Sequence, residues 1–360
     1  MTDLLALTAA LVDIPSVSHD ERAITDHLEA LLAPVPWLDV SRVGENLVAR
    51  TSLGRDRRLL LAGHTDTVPS NGNQSARVEG DVLWGLGSAD MKGGVAVIAE
   101  LARTVDEPAV DVSYVFYECE EIDSEFNGIE RLFRERPDLL AGDAAVLAEP
   151  TGARVEAGCQ GTMRVEVTMT GERVHSARSW LGRNAVHRLA PVLTALAGYQ
   201  GRRVTIDACD FREGLQGVLV SGGVAANVVP DRAVLTLNHR FAPDRTPEQA
   251  EAHIRAVVGE VDEFRVADMA PAAPPALGHP LLTSLLAATG APPRAKLGWT
   301  DVARFAAHGV PATNYGPGDP SVAHAAGERV ERSELETVFA VLRHLLDDPA
   351  PETAGRPGSM

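Results

Sequence analysis

Five short segments of this 360-residue chain collect the acids and histidines best suited to chemistry. In GHTDTVP, His64 and Asp66 stand two residues apart after an apolar run. In an extended chain they point the same way, so the carboxylate can hold the imidazole nitrogen that faces away from a bound ion. In GLGSADMKGG, glycines on both sides of Asp90 allow tight backbone geometry around one carboxylate. YECEEID crowds Glu118, Glu120, Glu121 and Asp123 behind a second apolar run. Like charges at that density are costly unless a cation neutralises them or one carboxyl keeps its proton. AVLAEPT puts Glu149 behind a third run, and PSVAHAAGERV supplies His324 after a Gly/Pro-rich loop.

Taken singly, each segment has a plain structural explanation: a polar strand end, a capped turn, a solvated acidic loop. The Asp90 loop is not a phosphate cradle, because Gly85-x-Gly87 lacks a third glycine at the required offset and no Lys-Ser/Thr pair follows. The conjunction carries more. Two histidines and three carboxylates, each at the end of an apolar segment, make the mixed nitrogen and oxygen donor set that zinc and similar ions favour. Adjacent Glu120 and Glu121 can diverge, one toward a metal and one toward a water.

The elements that must position these groups follow from the hydrophobic pattern. RLLLAG from Arg58, DVSYVFYE and DAAVLAEP have the character of short buried strands, with VAVIAELARTV and GIERLFRER as helices between them. Such alternation predicts an α/β domain with a mostly parallel central sheet flanked by helices, and sites of such sheets lie at the strand carboxyl ends. Near Thr162 the texture changes. TMRVEVTMTG and DRAVLTLNHRF alternate apolar and polar residues, while NAVHRLAPVLTALAGY and TPEQAEAHIRAVVGEV have helical periodicity. This β-α-β-α order predicts a smaller α+β domain inserted into the first. The expected division is 1–161 and 276–348 for the larger domain, 162–275 for the insert, and a disordered Pro/Gly/Ala-rich tail at 349–360.

Composition bounds the partners. Hydrophobic residues at 45% and charged residues at 23% are ordinary for a globular protein. With 33 basic and 50 acidic side chains the formal charge is −17, which argues against a nucleic-acid backbone or an anionic membrane as partner. Cys119, Cys159 and Cys209 are far apart and form no C-x-x-C pair, the pattern of reduced thiols in a cytoplasmic protein. Residues 1–20 carry no basic leader and show helical spacing, and no apolar run is long enough to cross a bilayer.

In order and wording, the five segments resemble the dinuclear zinc family of aminoacylases, glutamate carboxypeptidases, acetylornithine deacetylases and succinyl-diaminopimelate desuccinylases. The likeness runs from about Leu4 to Leu345, and the joint pattern H-x-D, D-M-K-G, E-E, E-P and a late His is specific. GCQGTMRV, GERVHSARSWLGRNAVH, GGVAANVVPD and GWTDVARF are similar to the actinobacterial desuccinylase branch. The resemblance implies two divalent ions, zinc with cobalt or manganese as substitutes. It makes Asp90 the shared carboxylate, His64 and Glu149 the remaining ligands of one ion, and Glu121 and His324 those of the other. Asp66 would orient His64, and Glu120 would be the general base toward the water between the ions. In the insert, His175 would stabilise the oxyanion across a homodimer, while Asn227, Arg240 and Thr300 would face the substrate.

This sequence departs from the family pattern at several points. Cys119 stands where an Asp usually precedes the Glu pair, His239 stands before Arg240, and Ala325 and Ala326 follow His324. Gln160-Gly161-Thr162 replaces the Arg-Gly-Ser with which proteobacterial desuccinylases hold the succinyl carboxylate. The expected reaction is hydrolysis of N-succinyl-LL-2,6-diaminopimelate. Deacylation of another N-acyl amino acid such as N-acetylornithine, or cleavage of a dipeptide, is the alternative within the same chemistry. A non-catalytic binding relative is a third reading, opposed by the intact set His64, Asp90, Glu120, Glu121, Glu149 and His324.

Overall fold

The computed structural model describes residues 3–349. The tail expected at 349–360 lies outside the described residues except for its first position. The chain forms two compact units. One comprises the residues up to Ala157, Pro275–Arg294, and Asp301 onward; the other comprises Gly158–Pro274 with Ala295–Thr300. The stretch 295–300, assigned from sequence to the larger domain, thus clusters with the smaller one.

In the larger unit the strand Arg58–His64 is buried from Leu59 onward, which places it mid-sheet. It pairs in parallel with Asp111–Tyr117 on one side and Ala144–Leu147 on the other. Ala312–Asn314 joins the latter, also in parallel. The hairpin strands Asp39–Val43 and Asn46–Arg50 continue the sheet antiparallel beyond Asp111–Tyr117. The result is the expected α/β arrangement with a mostly parallel sheet. Helix Lys92–Thr104 is buried from Lys92 to Ala102, and Arg332–Asp347 buries Leu335, Val338, Leu342 and Leu345 at helical spacing. A Cβ on Gly94 would sit 2.2 Å from the Ala148 carbonyl oxygen. The glycine pair of DMKGG therefore lets the helix press directly on the strand end that carries Glu149.

The smaller unit is built on a four-stranded antiparallel sheet ordered Gly214–Gly222, Arg232–Phe241, Gly161–Thr170, Glu263–Ala270. Met163, Val165, Val167 and Met169 alternate inward and meet Leu235, Leu237, Phe241 and Ile254 in one core. The β-α-β-α order expected from sequence is incomplete, because both outer strands were absent from it. Gly214–Gly222 is exposed along most of its length and Glu263–Ala270 is never fully buried, so neither carries the alternation that marks a half-buried strand. The helix expected over NAVHRLAPVLTALAGY is split into Ala185–Arg188 and Ala190–Ala197. Pro191, in the first turn of the second piece, has no N–H to continue the ladder. Helix Pro247–Val258 starts with a Thr246/Gln249 capping box and buries Ala250, Ile254 and Val258.

Candidate metal centre

The three parallel strands that end near one another deliver the site. His64 is the last residue of Arg58–His64, Glu118–Glu121 follow Tyr117, and Glu149 follows Leu147 by two residues. The loop ahead of helix Lys92–Thr104 adds Asp90, and the turn after residues 320–322 adds His324, whose φ is 62°. Asp90 stands at the centre. Its Oδ1 lies 3.2 Å from His64 Nε2, and its Oδ2 lies 3.5 Å from His324 Nε2. His324 Nε2 also lies 2.8 Å from Glu121 Oε1. Donor atoms of His64, Asp90 and Glu149 fall within 4.8 Å of one another, and so do those of Asp90, Glu121 and His324. Two clusters of mixed imidazole and carboxylate donors share one carboxylate, a set that fits borderline divalent ions.

The electrostatics agree with a place made for cations. Burial disfavours charge on His64, yet the hydrogen-bonded Asp66 and Asp90 carboxylates outweigh it and raise its pKa well above the ordinary value. His324, hydrogen-bonded to Asp90 and Glu121, is raised to about 10. Burial also pushes the Glu120 carboxyl well above the usual range; His64 opposes that shift, and Glu149, Asp301 and Glu121 reinforce it. Acids and imidazoles gathered this closely favour positive charge among them, which protons or cations can supply.

Asp66 is fully buried and plays a wider part than its spacing from His64 suggests. His64 Nδ1 is 3.1 Å from the Asp66 backbone carbonyl and 3.4 Å from its Oδ1. The same carboxylate accepts the Glu120 amide on Oδ1 at 3.0 Å and the Glu121 amide on Oδ2 at 3.1 Å. Glu118, part of the acidic crowd in the sequence, accepts from Asn46 Nδ2 and pairs with Arg131. Its carboxylate therefore serves the hairpin and helix beside the strand end.

Several residues escaped the sequence reading. Glu328 is buried, and its Oε1 accepts the amides of Ala89 and Asp90, fixing the loop that presents the shared carboxylate. Lys92, buried at the start of its helix, donates to the Ile14 carbonyl at 2.7 Å. Burial lowers its pKa to about 8 against the pull of Glu328, Asp13 and Asp66. The signals were present, since Lys92 follows Asp90 by two residues and Glu328 follows His324 by four, but nothing in the sequence marks either as a partner of the loop that carries Asp90. Asp301, by contrast, stands out in the sequence with Thr300 as resembling a substrate-proximal loop; it is buried and accepts from both Asn127 Nδ2 and Arg304 Nε. Cys119, the departure before the Glu pair, turns its thiol to Glu21 Oε1 at 3.3 Å, where a carboxylate would meet like charge.

The candidates of the smaller unit fall into two pairs. His175 and Asn227 are neighbours, since the Ser176 amide donates to the Asn227 carbonyl and His175 bridges to Val228. His175 Nδ1 accepts the Ala177 amide, so this nitrogen caps a 3-10 turn. Arg240 and Thr300 flank Cys159: the thiol donates to the Thr300 carbonyl at 3.7 Å and bears electrostatically on Arg240. Gln160 is buried, and its amide donates to the Arg212 carbonyl at 2.8 Å. That donor is occupied within the unit itself.

An α/β sheet at whose strand ends and adjoining loops two histidines, a shared carboxylate and a spare half-buried glutamate gather has the site of a metal-dependent hydrolase. Residues 60–348 match the model of peptidase family M20/M25/M40, and the chain belongs to that family. It is 44% identical, with 96% of each chain covered, to a succinyl-diaminopimelate desuccinylase of Corynebacterium glutamicum. It is 52% identical, with 96% of this chain and 98% of the other covered, to a Mycobacterium tuberculosis protein provisionally named as the same enzyme. Among solved structures, a tripeptidase of Staphylococcus aureus shares the fold with a TM-score of 0.79 at 20% identity, covering 96% of this chain and 97% of its own. The chain is thus a metal-dependent amide hydrolase of this family, and no helix among the described residues is long and apolar enough to cross a membrane.

Proposed function

We propose that the chain hydrolyses N-succinyl-LL-2,6-diaminopimelate to succinate and LL-diaminopimelate, a step toward lysine and cell wall. The observation that carries the chemistry is the divided Asp90 carboxylate, one oxygen toward His64 and the other toward His324. The substrate rests on the names of relatives 52% and 44% identical over nearly the whole chain. His64, Asp90 and Glu149 would hold one ion, and Asp90, Glu121 and His324 the second. The balance of imidazole and carboxylate donors favours zinc, with cobalt and manganese as substitutes. When bound, such a pair polarises the amide carbonyl and brings the pKa of water toward neutrality.

The chain's own residues do the rest. Glu120 accepts the proton of the attacking water and passes it to the departing amine. A carboxyl held above its ordinary pKa is a stronger base than a free one and gives the proton up again to the departing amine. Asp66 holds the amides of Glu120 and Glu121 while it orients His64. In the smaller unit, Arg240 would bind a substrate carboxylate bidentately, with Asn227 and Thr300 beside the substrate. That unit would also join two copies into a homodimer, with His175 reaching the oxyanion of the neighbouring copy. With the Gln160 amide engaged by Arg212, the succinyl carboxylate must be held by another group. The proposed compartment is the cytoplasm, in keeping with three buried cysteines that stand as thiols.

The test is a panel of succinyl-diaminopimelate, N-acetylornithine and a dipeptide on enzyme reconstituted with zinc. A clear preference in kcat/KM for the succinylated substrate is expected. Preference for acetylornithine would replace the substrate and leave the chemistry standing. For the dimer, mixed His175→Ala and Glu120→Gln subunits should regain part of the activity that each lacks alone.

A further inference from the structure

Four consecutive backbone amides at the end of strand Asp111–Tyr117 are each held by a side chain from elsewhere in the larger unit. The Glu118 amide donates to Asn46 Oδ1 at 3.1 Å, and the Cys119 amide to Glu21 Oε1 at 3.1 Å. The Glu120 and Glu121 amides donate to the two oxygens of Asp66. All three acceptor residues are buried. A segment that runs past the end of a strand has no ladder to hold it, so these side chains replace the ladder.

Behind this arrangement lies the segment between helices Leu4–Val12 and Arg22–Leu32. Ser18 Oγ donates to Asp66 Oδ2 at 2.7 Å. That oxygen therefore receives both the hydroxyl and the Glu121 amide, while Oδ1 receives the Glu120 amide and lies near His64 Nδ1. The segment is itself fastened to the residues that directly follow His64. The Ser18 amide donates to the Thr67 carbonyl, the Thr67 amide to the Ser16 carbonyl, and Ser16 Oγ to the Thr65 carbonyl. Glu21 folds back onto the same turn and takes the amides of His19 and Cys119 and the Cys119 thiol on one oxygen.

From this geometry we infer that Ser18 and Glu21 are positioning residues for the hydrolysis. Ser18 fixes the rotation of the Asp66 carboxylate, and that carboxylate sets where Glu120 and Glu121 point. Glu21 fixes Cys119, whose φ of 57° makes the turn from which the two glutamates diverge. Neither residue needs to touch substrate or ion. The inference rests on the reading of Glu120 as base and Glu121 as ligand. A displacement of about 1 Å in a catalytic group costs on the order of a hundredfold in rate, so a small loosening here is measurable.

The experiment compares Ser18→Ala with Ser18→Thr in the zinc-reconstituted full chain, measuring kcat, KM, zinc content and thermal unfolding. Ser18→Ala is expected to lose about tenfold or more in kcat, the scale of one hydrogen bond to a charged group, with KM and zinc content unchanged. Ser18→Thr, which keeps the hydroxyl, should restore most of the rate. Glu21→Gln, which keeps an acceptor for the Cys119 amide, should likewise outperform Glu21→Ala. Wild-type kcat in Ser18→Ala overturns the inference. So does a loss that follows zinc content or unfolding temperature, or one that Ser18→Thr fails to repair. Glu120→Gln is the control for the underlying reading. If it keeps full turnover, the base assignment itself falls, whatever the Ser18 variants do.

Discussion

The two units treat the same side chains in opposite ways. In the smaller one, Glu213 is fully buried, but Arg202 at 2.9 Å, Arg245 at 3.0 Å and the Ala242 amide surround it. Burial raises its pKa, these partners lower it, and the partners win. Glu120 in the larger unit is held well above the usual carboxylate range, and the charges acting on it are His64 and three further acids. The imidazoles mirror this. His239 and His253 of the smaller unit are pushed down by burial, whereas His64 and His324 are pushed up by carboxylates. One unit balances its charge internally. The other leaves acids and histidines together that only protons or ions can balance, which is the mark of a place that takes cations from outside.

That contrast is broken most sharply at the spare glutamate. Glu120→Gln should lower kcat by about a thousandfold, within the usual range for a lost general base, while both ions remain. Kinetics paired with elemental analysis would show it. Departure of the ions along with activity would make Glu120 a ligand instead. Next comes Asp90→Asn. Because Asp90 faces both histidines, this one change should abolish retention of both ions after dialysis against a mild chelator. Retention of one ion in full would mean that the clusters are independent.

Much of the site was legible because three of its donors sit at or just past strand ends. Buried strands announce themselves as apolar runs, and whatever polar residue follows such a run stands out: His64 after RLLLAG, Glu121 after DVSYVFYE, Glu149 after DAAVLA. Glu328, Glu21 and Ser18 have no such frame: the two glutamates take backbone amides, which have no signature in sequence, and Ser18 meets the Asp66 carboxylate from 48 residues away. The outer strands of the smaller unit stayed hidden for a related reason, since an edge exposed on both faces has no inside to write into its pattern. The proline that divides the helix was in plain view at Pro191, but an eight-residue helix can start on it as readily as a longer one can be broken by it.

Arg202→Ala sharpens the contrast from the other side. It removes a partner of buried Glu213 and leaves Arg245 and the Ala242 amide in place. Because Arg202 is itself more than a third exposed, the expected loss of stability is modest, about 1 kcal/mol. Turnover per bound ion should not change, and urea unfolding beside kcat measures both. A fall in kcat without loss of stability would show that charge balance in this unit bears on catalysis.

The smallest effect distinguishes the two sets of imidazoles by the sign of their pH dependence in metal-free protein. His324, raised from 6.5 to about 10, adds stability that is fully present below pH 6.5 and disappears as the pH climbs through about 10. His239 works in reverse. Its folded pKa is depressed, so the unfolded chain takes up the proton first, and stability declines as the pH falls below 6.5. Half-exposed His324 is screened by solvent, so its slope will be shallow. Urea midpoints should accordingly fall on both sides of neutrality, with His239→Gln flattening the acid limb and His324→Gln the alkaline one. Zinc, which must displace protons from His64 and His324 to bind, should tighten as the pH rises over the same alkaline range. An affinity indifferent to pH there would mean that the imidazoles are already neutral, and the opposition between the two units would lose its histidine half.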